Sequence, residues 1–388
     1  MDISIFLNPV NKDLLDSNTL YLAKQIGNSI DFYNNDDINI EDYDIAIIGI
    51  NEDRNSVDNA GCKDAPDVIR QALYPLYNHW KNVKIIDLGN IKTGFNIEDT
   101  YYAINQVFLT LLKNHVIPIV LGGSQDLTFP LYQAYENTGK LVNITAIDSC
   151  FDIGHDKEEI NSKSYLSYIV LHQPNYLFNF TNIGYQTYFN DDEVISLMKK
   201  LFFDACRLGN AHNNITLTEP LLRNADIVSI DISAFKASDA PGIKRCSPNG
   251  FLGEEGCQMT RYAGLSNKLS SIGFFEYNPN YDINNMTAKM ISQMIWYFIE
   301  GFSNRIDDIP TPESEDFIKY IVQIEEQEEM VFLCHKLTEK WWIDLSFKSK
   351  DNEMYQRHHY IPCSKQDYDQ AMHNEVPDRW WQYYQKLM

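Results

Sequence analysis

The chain has 388 residues, 44 % of them hydrophobic, enough for a large core. Its formal net charge of −22 argues against nucleic acid and anionic membrane surfaces as partners, since both need clustered Lys and Arg. It does not by itself imply a cationic ligand, because a solvated acidic surface explains it as well.

Residues 1 to 44 read as a helical lead-in (Leu14, Leu15, Leu20, Leu22, Ile26) followed by an Asn/Asp-rich loop. No basic segment followed by an apolar stretch marks a secretory signal, so a cytoplasmic location is expected. The first core strand is Ile45 to Ile50. A helix begins at Ala65-Pro66, with Pro in the first turn, where its missing N–H costs nothing. Val83 to Leu88 is the next strand, and Ile97 to Asn114 has helical spacing (Ile104, Val107, Phe108, Leu111).

Four later stretches share one form: an apolar strand running into an acid. They are Val116 to Leu121 with Gly122-Gly123-Ser124-Gln125-Asp126, Val142 to Ile147 with Asp148 and Asp152, Ala225 to Ser233 carrying Asp231, and Ile272 to Pro279 carrying Glu276. A single strand-end Asp is usually a cap or turn residue. Four in a βα succession point to one shared site at the carboxyl ends of a parallel sheet. Carboxylates held together by rigid backbone repel, so a metal, a base or a shared proton must hold them.

Tyr176 to Phe180 and Phe202 to Asp204 read as short strands, and Glu254 to Leu265 and Asn284 to Phe302 as helices. The apolar run from Met290 to Phe302 is too short to span a bilayer. The alternation of strands and helices predicts an α/β fold, a mainly parallel sheet covered on both faces. The Pro/Asp stretch Arg305 to Pro312 is the boundary. It separates an α/β domain (45–305) from an aromatic-rich extension (311–388). Strands are expected there at Tyr320 to Ile324, Met330 to Cys334 and Trp341 to Phe347, in an antiparallel arrangement. Trp341, Trp342, Trp380 and Trp381 either pack this tail onto the main domain or form a partner surface. The seven cysteines contain no Cys-x-x-Cys pair, which fits free thiols in a reducing compartment.

The segments Gly122 to Asp126, Asp148-Ser149-Cys150-Phe151-Asp152, Ser229-Ile230-Asp231-Ile232-Ser233 and Glu276-Tyr277-Asn278-Pro279 resemble, in order, the signature segments of the ureohydrolase family: arginase, agmatinase and formimidoylglutamase. Gly49 to Asp53, Ala65-Pro66 with Ile69-Arg70, and Gly253 to Gly256 agree. The Asn51-Glu52-Asp53-Arg54 loop is most similar to the formimidoylglutamase branch. The resemblance spans residues 40 to 303 and implies a three-layer α/β/α fold. It also implies hydrolysis of guanidino or formimino groups by a hydroxide bridging two Mn²⁺ ions.

Against that pattern the sequence departs at three of six ligand positions. Asp148, Asp152 and Asp231 remain. Gln125 and Cys150 stand where the family has histidines, and Ser233 where it has a second acid. Glu276 matches the acid that pairs with the substrate's cationic head, and a substrate-loop histidine would fall near Lys163 or Tyr165. Oxygen donors suit Mg²⁺ or Ca²⁺ better than a Mn²⁺ pair. The expectation is therefore no cofactor, or a single divalent cation, with vestigial Glu276 and Lys163 and no assigned catalytic residue. Lys163, Lys236 or Lys244 could replace the metals, or the acids could share protons. Cys150 reads as a filler rather than a nucleophile, with His155 the one histidine near it in sequence. The expected function is a non-catalytic binding or scaffold protein, oligomeric or bound to a protein partner, able to hold a small guanidino or amino-acid ligand. The alternative is a C–N hydrolase of linear amidines with a rearranged or single-metal site.

Overall fold

The computed structural model describes residues 2–11, 14, 21–35, 38–154, 159–312, 314–324, 329–348 and 353–388. Ten strands form one sheet: β1 (Leu7–Asn8), β2 (Asp31–Phe32), β3 (Ile45–Ile50), β4 (Ile85–Ile91), β5 (Ile117–Leu121), β6 (Val142–Ile147), β7 (Leu177–Tyr185), β8 (Asp204–Arg207), β9 (Ile227–Asp231) and β10 (Ser271–Phe275). The order is β1-β4-β3-β5-β10-β9-β6-β7-β8, with β2 beside β4. All pairings are parallel except that of β1 with β4.

The helices that follow are α1 (Ala65–Leu73), α2 (Ile97–Lys113), α3 (Thr128–Gln133), α4 (Tyr165–Leu171), α5 (Asp192–Lys200), α6 (Leu208–Asn213), α7 (Thr218–Arg223), α8 (Gly253–Gly264) and α9 (Met286–Ser303). In β3, Ile45 and Ile47 join the core formed with α1, α6, α7, α8 and α9. Ala46, Ile48 and Ile50 join the opposite core with α2 and α3. This period of two, apolar on both faces, is the pattern of a parallel strand covered by helices on each side. The α/β layering matches the sequence expectation.

Several boundaries move. β4 starts and ends later than Val83 to Leu88, and Gly89 takes a φ of +74° where the chain meets β1. Its Cβ, if present, would stand 2.0 Å from the Asn8 carbonyl oxygen, so only glycine fits there. β7 is longer than expected, because Asn179, Thr181 and Asn182 interrupt the apolar pattern yet are buried. Their polar groups are satisfied inside: Asn179 Nδ2 donates to Asp204 and Asn182 Nδ2 to the Cys150 carbonyl. In the lead-in, Leu7–Asn8 and Asp31–Phe32 are strands and Ile26–Ser29 is a single helical turn. Leu15 and Leu20 lie outside the described residues.

A second sheet, antiparallel, contains β11 (Phe317–Val322), β12 (Met330–His335), β13 (Trp341–Asp344) and β14 (Tyr360–Cys363), followed by α10 (Lys365–Met372) and α11 (Asp378–Lys386). β14 was not legible in the sequence, being four residues with a proline. The extension's core includes Leu141 and Phe178 of the α/β body. Trp341, Trp342 and Trp380 are buried, whereas Trp381 is 45 % exposed. No helix among the described residues is long and apolar enough to cross a membrane.

Candidate metal centre

β5, β10, β9 and β6 are consecutive neighbours in the sheet. Their carboxyl ends therefore bring Gln125, Glu276, Asp231 and Asp148 to one spot. Asp152 joins them from the turn after β6. All five are buried. Asp152 and Glu276 take positive φ values of 51° and 65°. Such a conformation is costly for residues with a Cβ and is held only where the surroundings impose it. Gly123 lets the β5 loop close on the β3 loop, since a Cβ there would lie 1.7 Å from the Glu52 carbonyl oxygen.

One oxygen of each acid within Asp148, Asp152 and Asp231 lies within 4.8 Å of the others. Backbone fixes the orientation of two of them. Cys150 N–H donates to Asp148 Oδ1 at 2.9 Å, and Ser233 N–H to Asp231 Oδ1 at 2.6 Å. The remaining atoms Asp148 Oδ2, Asp152 Oδ2, Asp231 Oδ2 and Gln125 Oε1 are buried without a hydrogen-bond donor. Lys163 Nζ approaches this group, 3.4 Å from Asp152 Oδ1 and 3.6 Å from Asp231 Oδ2. Neither Lys236 nor Lys244 forms an ion pair with these acids among the described residues, and His155 lies outside them.

Electrostatics follow from burial and crowding. Burial and then the charge of Asp152 raise Asp148 well above the usual carboxylate range. Burial also raises Asp152, against the pull of Lys163, and takes Asp231 to about 6. Burial opposes the charge on Lys163, but Asp152, Asp231 and Asp148 outweigh it and hold the ammonium well above its ordinary range. Burial, with Asp152 and Asp148 beside it, pushes the Cys150 thiol up to about 12, so it is protonated at neutral pH.

Three carboxylates whose oxygens lie this close, with the buried Gln125 Oε1 and only the Lys163 ammonium at 3.6 Å from Asp231 Oδ2, suit one hard cation. A second position would rest on the neutral Cys150 thiol and the Ser233 hydroxyl, which sits 3.2 Å from Ser149 Oγ. A soft sulfur ligand suits a hard cation poorly, and a hydroxyl replaces a carboxylate poorly. The residues present therefore fit one cation, held by Asp148, Asp152, Asp231 and Gln125, and not a pair.

Glu276 sits beside this group. Gln125 N–H donates to its Oε1 at 3.0 Å and Asn59 Nδ2 to its Oε2 at 2.8 Å. Burial, with Asp231 nearby, takes it to about 7. Asn59 was missed in the sequence, where it reads as a loop residue far from any motif. Asp126 corrects the sequence reading in the other direction. It turns away from the cluster to accept from the Tyr101 and Ser124 hydroxyls, so the β5 end contributes Gln125 instead of an acid.

The sequence profile described as the Arginase family matches residues 43–300. The chain belongs to the arginase family. Among its relatives, formimidoylglutamase from Vibrio cholerae is 26 % identical over 294 residues, covering 69 % of this chain and 87 % of that protein. Formimidoylglutamase from Staphylococcus haemolyticus is 24 % identical over 263 residues, covering 63 % and 81 %. Trypanosoma cruzi formiminoglutamase with Mn2+2 superposes with a TM-score of 0.66 at 20 % identity, covering 73 % of this chain and 99 % of that one. Formimidoylglutamase from Bacillus subtilis gives 0.65 at 19 %, covering 72 % and 92 %. The formimidoylglutamase-like branch of the family read from the sequence stands, and the C-terminal extension lies beyond the family match.

Proposed function

We propose that this arginase-family chain is a non-hydrolytic binding protein. In this reading Lys163 takes the role of the family's cations and Glu276 holds the cationic head of a guanidino or amino-acid ligand. The observation that carries the reading is the Lys163 ammonium, 3.4 and 3.6 Å from two of the three remaining acids. It balances part of their charge without a metal, where the donor set lacks a second metal position. A bridging hydroxide needs two metals to lower the pKa of water. A buried carboxylate hydrogen-bonded from both sides, as Glu276 is, gives a fixed acceptor for a planar cation. Assembly as a homo-oligomer or on a protein partner belongs to the same reading.

A second reading, a one-metal hydrolase of linear amidines, draws on the three clustered carboxylates and Gln125 Oε1. One experiment separates the two. Formiminoglutamate, arginine and agmatine are offered to the purified protein with Mn²⁺, and formamide, ammonia and urea are measured. The proposal expects no release, but a thermal shift with at least one of the three ligands that is lost in Glu276→Gln. Chelator-sensitive release would overturn it in favour of the hydrolase.

A further inference from the structure

A cavity of about 950 Å³ lies at the opposite end of the sheet from the acids, between the α/β body and the C-terminal extension. The body lines it with the residues that precede β5, β9 and β10, and the extension with Trp342 and the segment before β14. Asp226, the residue before β9, faces this cavity, while Asp231, at the far end of that strand, faces the acid cluster. Five steps of strand separate them, roughly 16 Å. This is therefore a different site from the one described above.

In a chain of net charge −22, this lining holds Lys140, Arg223, Lys268, Arg305 and Arg357 against only two acids, Asp226 and Asp308. Both acids are engaged. Asp226 takes the Arg357 guanidinium on one oxygen and Asn143 N–H, at 2.8 Å, on the other. Asp308 pairs with Lys340 at 2.6 Å. Arg223 has Glu219 at 2.8 Å. Lys268 and Arg305 are left with neutral acceptors. Lys268 Nζ donates to Asn224 Oδ1 at 2.9 Å, and Arg305 Nε to the Gly264 carbonyl at 2.7 Å. Neither pairs with a carboxylate among the described residues. Burial lowers both, Lys268 to about 8. Asp226 acts on Lys268 at longer range, but half-buried cations with no carboxylate in direct contact are left for an anion to complete.

We propose that this cavity binds a small organic molecule carrying a doubly charged oxyanion, seated on Lys268 and Arg305, with its body against Tyr135 and Trp342. The volume is that of an organic ligand rather than an inorganic ion. Guanidinium and ammonium groups converging on one space recognise phosphoryl or carboxyl oxygens through charge-assisted hydrogen bonds. The extension supplies part of the wall, so the site exists only in the full chain.

The test is calorimetric titration of the full chain with pyrophosphate, adenosine monophosphate and succinate. The first two carry phosphoryl oxygens and the third carboxyl oxygens, so the pattern assigns the headgroup. The proposal expects at least one to bind with a Kd below about 1 mM, weakened at least tenfold in Lys268→Met/Arg305→Met. Absence of binding by all three would overturn it, as would binding that the double variant leaves unchanged. If the double variant does not fold, acetylation of Lys268 in the unaltered protein is followed by mass spectrometry. Protection by a saturating probe supports the site, and acetylation at the same rate overturns it.

Discussion

The ammonium of Lys163 lies 3.4 Å from Oδ1 of Asp152, at the end of a side chain that is 40 % exposed. The lysine thus reaches from a partly exposed stem into a buried group of acids. Removing it leaves those acids without their nearest positive charge. In Lys163→Met, the metal-free protein should lose about 1–2 kcal/mol, less than for a fully enclosed pair because water screens the stem. The same variant should bind Mg²⁺ or Mn²⁺ about tenfold more tightly, equal to ~1.4 kcal/mol. Thermal melting with and without chelator measures the first effect and calorimetry the second. Unchanged metal affinity would mean that lysine and metal do not compete.

Restoring the ligands tests the donor-set argument directly. Gln125→His, Cys150→His and Ser233→Asp, combined with Lys163→Ala, should bind about two Mn²⁺ per chain. Elemental analysis after gel filtration reads the stoichiometry. If the unaltered protein already carries two, the argument from Cys150 and Ser233 fails.

Arg70 and Asp87 form a fully buried pair, both side chains 0 % exposed. Two parallel bonds of 2.9 Å join them, and Tyr74 and the Gly89 N–H add donors to the same carboxylate. Asp87→Ala should cost about 3–5 kcal/mol, because it strands a guanidinium. Asp87→Leu with Arg70→Met should recover much of that loss. Urea midpoints of the three proteins decide it.

Lys386 sets a pH dependence. Burial lowers it to about 7, although Asp204 pulls the other way. It also donates to Asn179 and lies over the Phe203 ring. A lysine whose folded pKa is depressed binds fewer protons in the native state between that value and its unfolded 10.4. Its contribution therefore grows as pH rises from about 7 towards 10 and is lost as pH falls through about 7. Urea midpoints from pH 6 to 9 should climb in the unaltered protein and flatten in Lys386→Met. Equal slopes would place the titration elsewhere.

Much of the α/β body was legible because its signals are local. β3 and β5 are short apolar runs, and the residues that follow β5, β6, β9 and β10 announce themselves as strand ends. The acids that meet at these strand ends were legible for the same reason. Lys163 was one of three lysines that fitted, since nothing in the sequence says which loop folds over the acids. Asp126 read as the acid delivered by the β5 end, whereas Gln125 beside it points into the cluster and Asp126 turns to Tyr101 and Ser124. The basic cavity left no trace at all. Lys268 and Arg305, far apart in sequence, meet within the α/β body, and Arg357 joins them only when the extension docks.

Lys163 is tied to the chain, and this matters beyond charge balance. Its effective concentration at the carboxylates is fixed by the length of one side chain, not by the medium. A free ion competes with a rival that cannot be diluted, and its apparent affinity falls by the fraction of molecules in which the lysine is swung aside. Exhaustive dialysis, which strips a conventional metalloprotein, would leave this pocket as full as before.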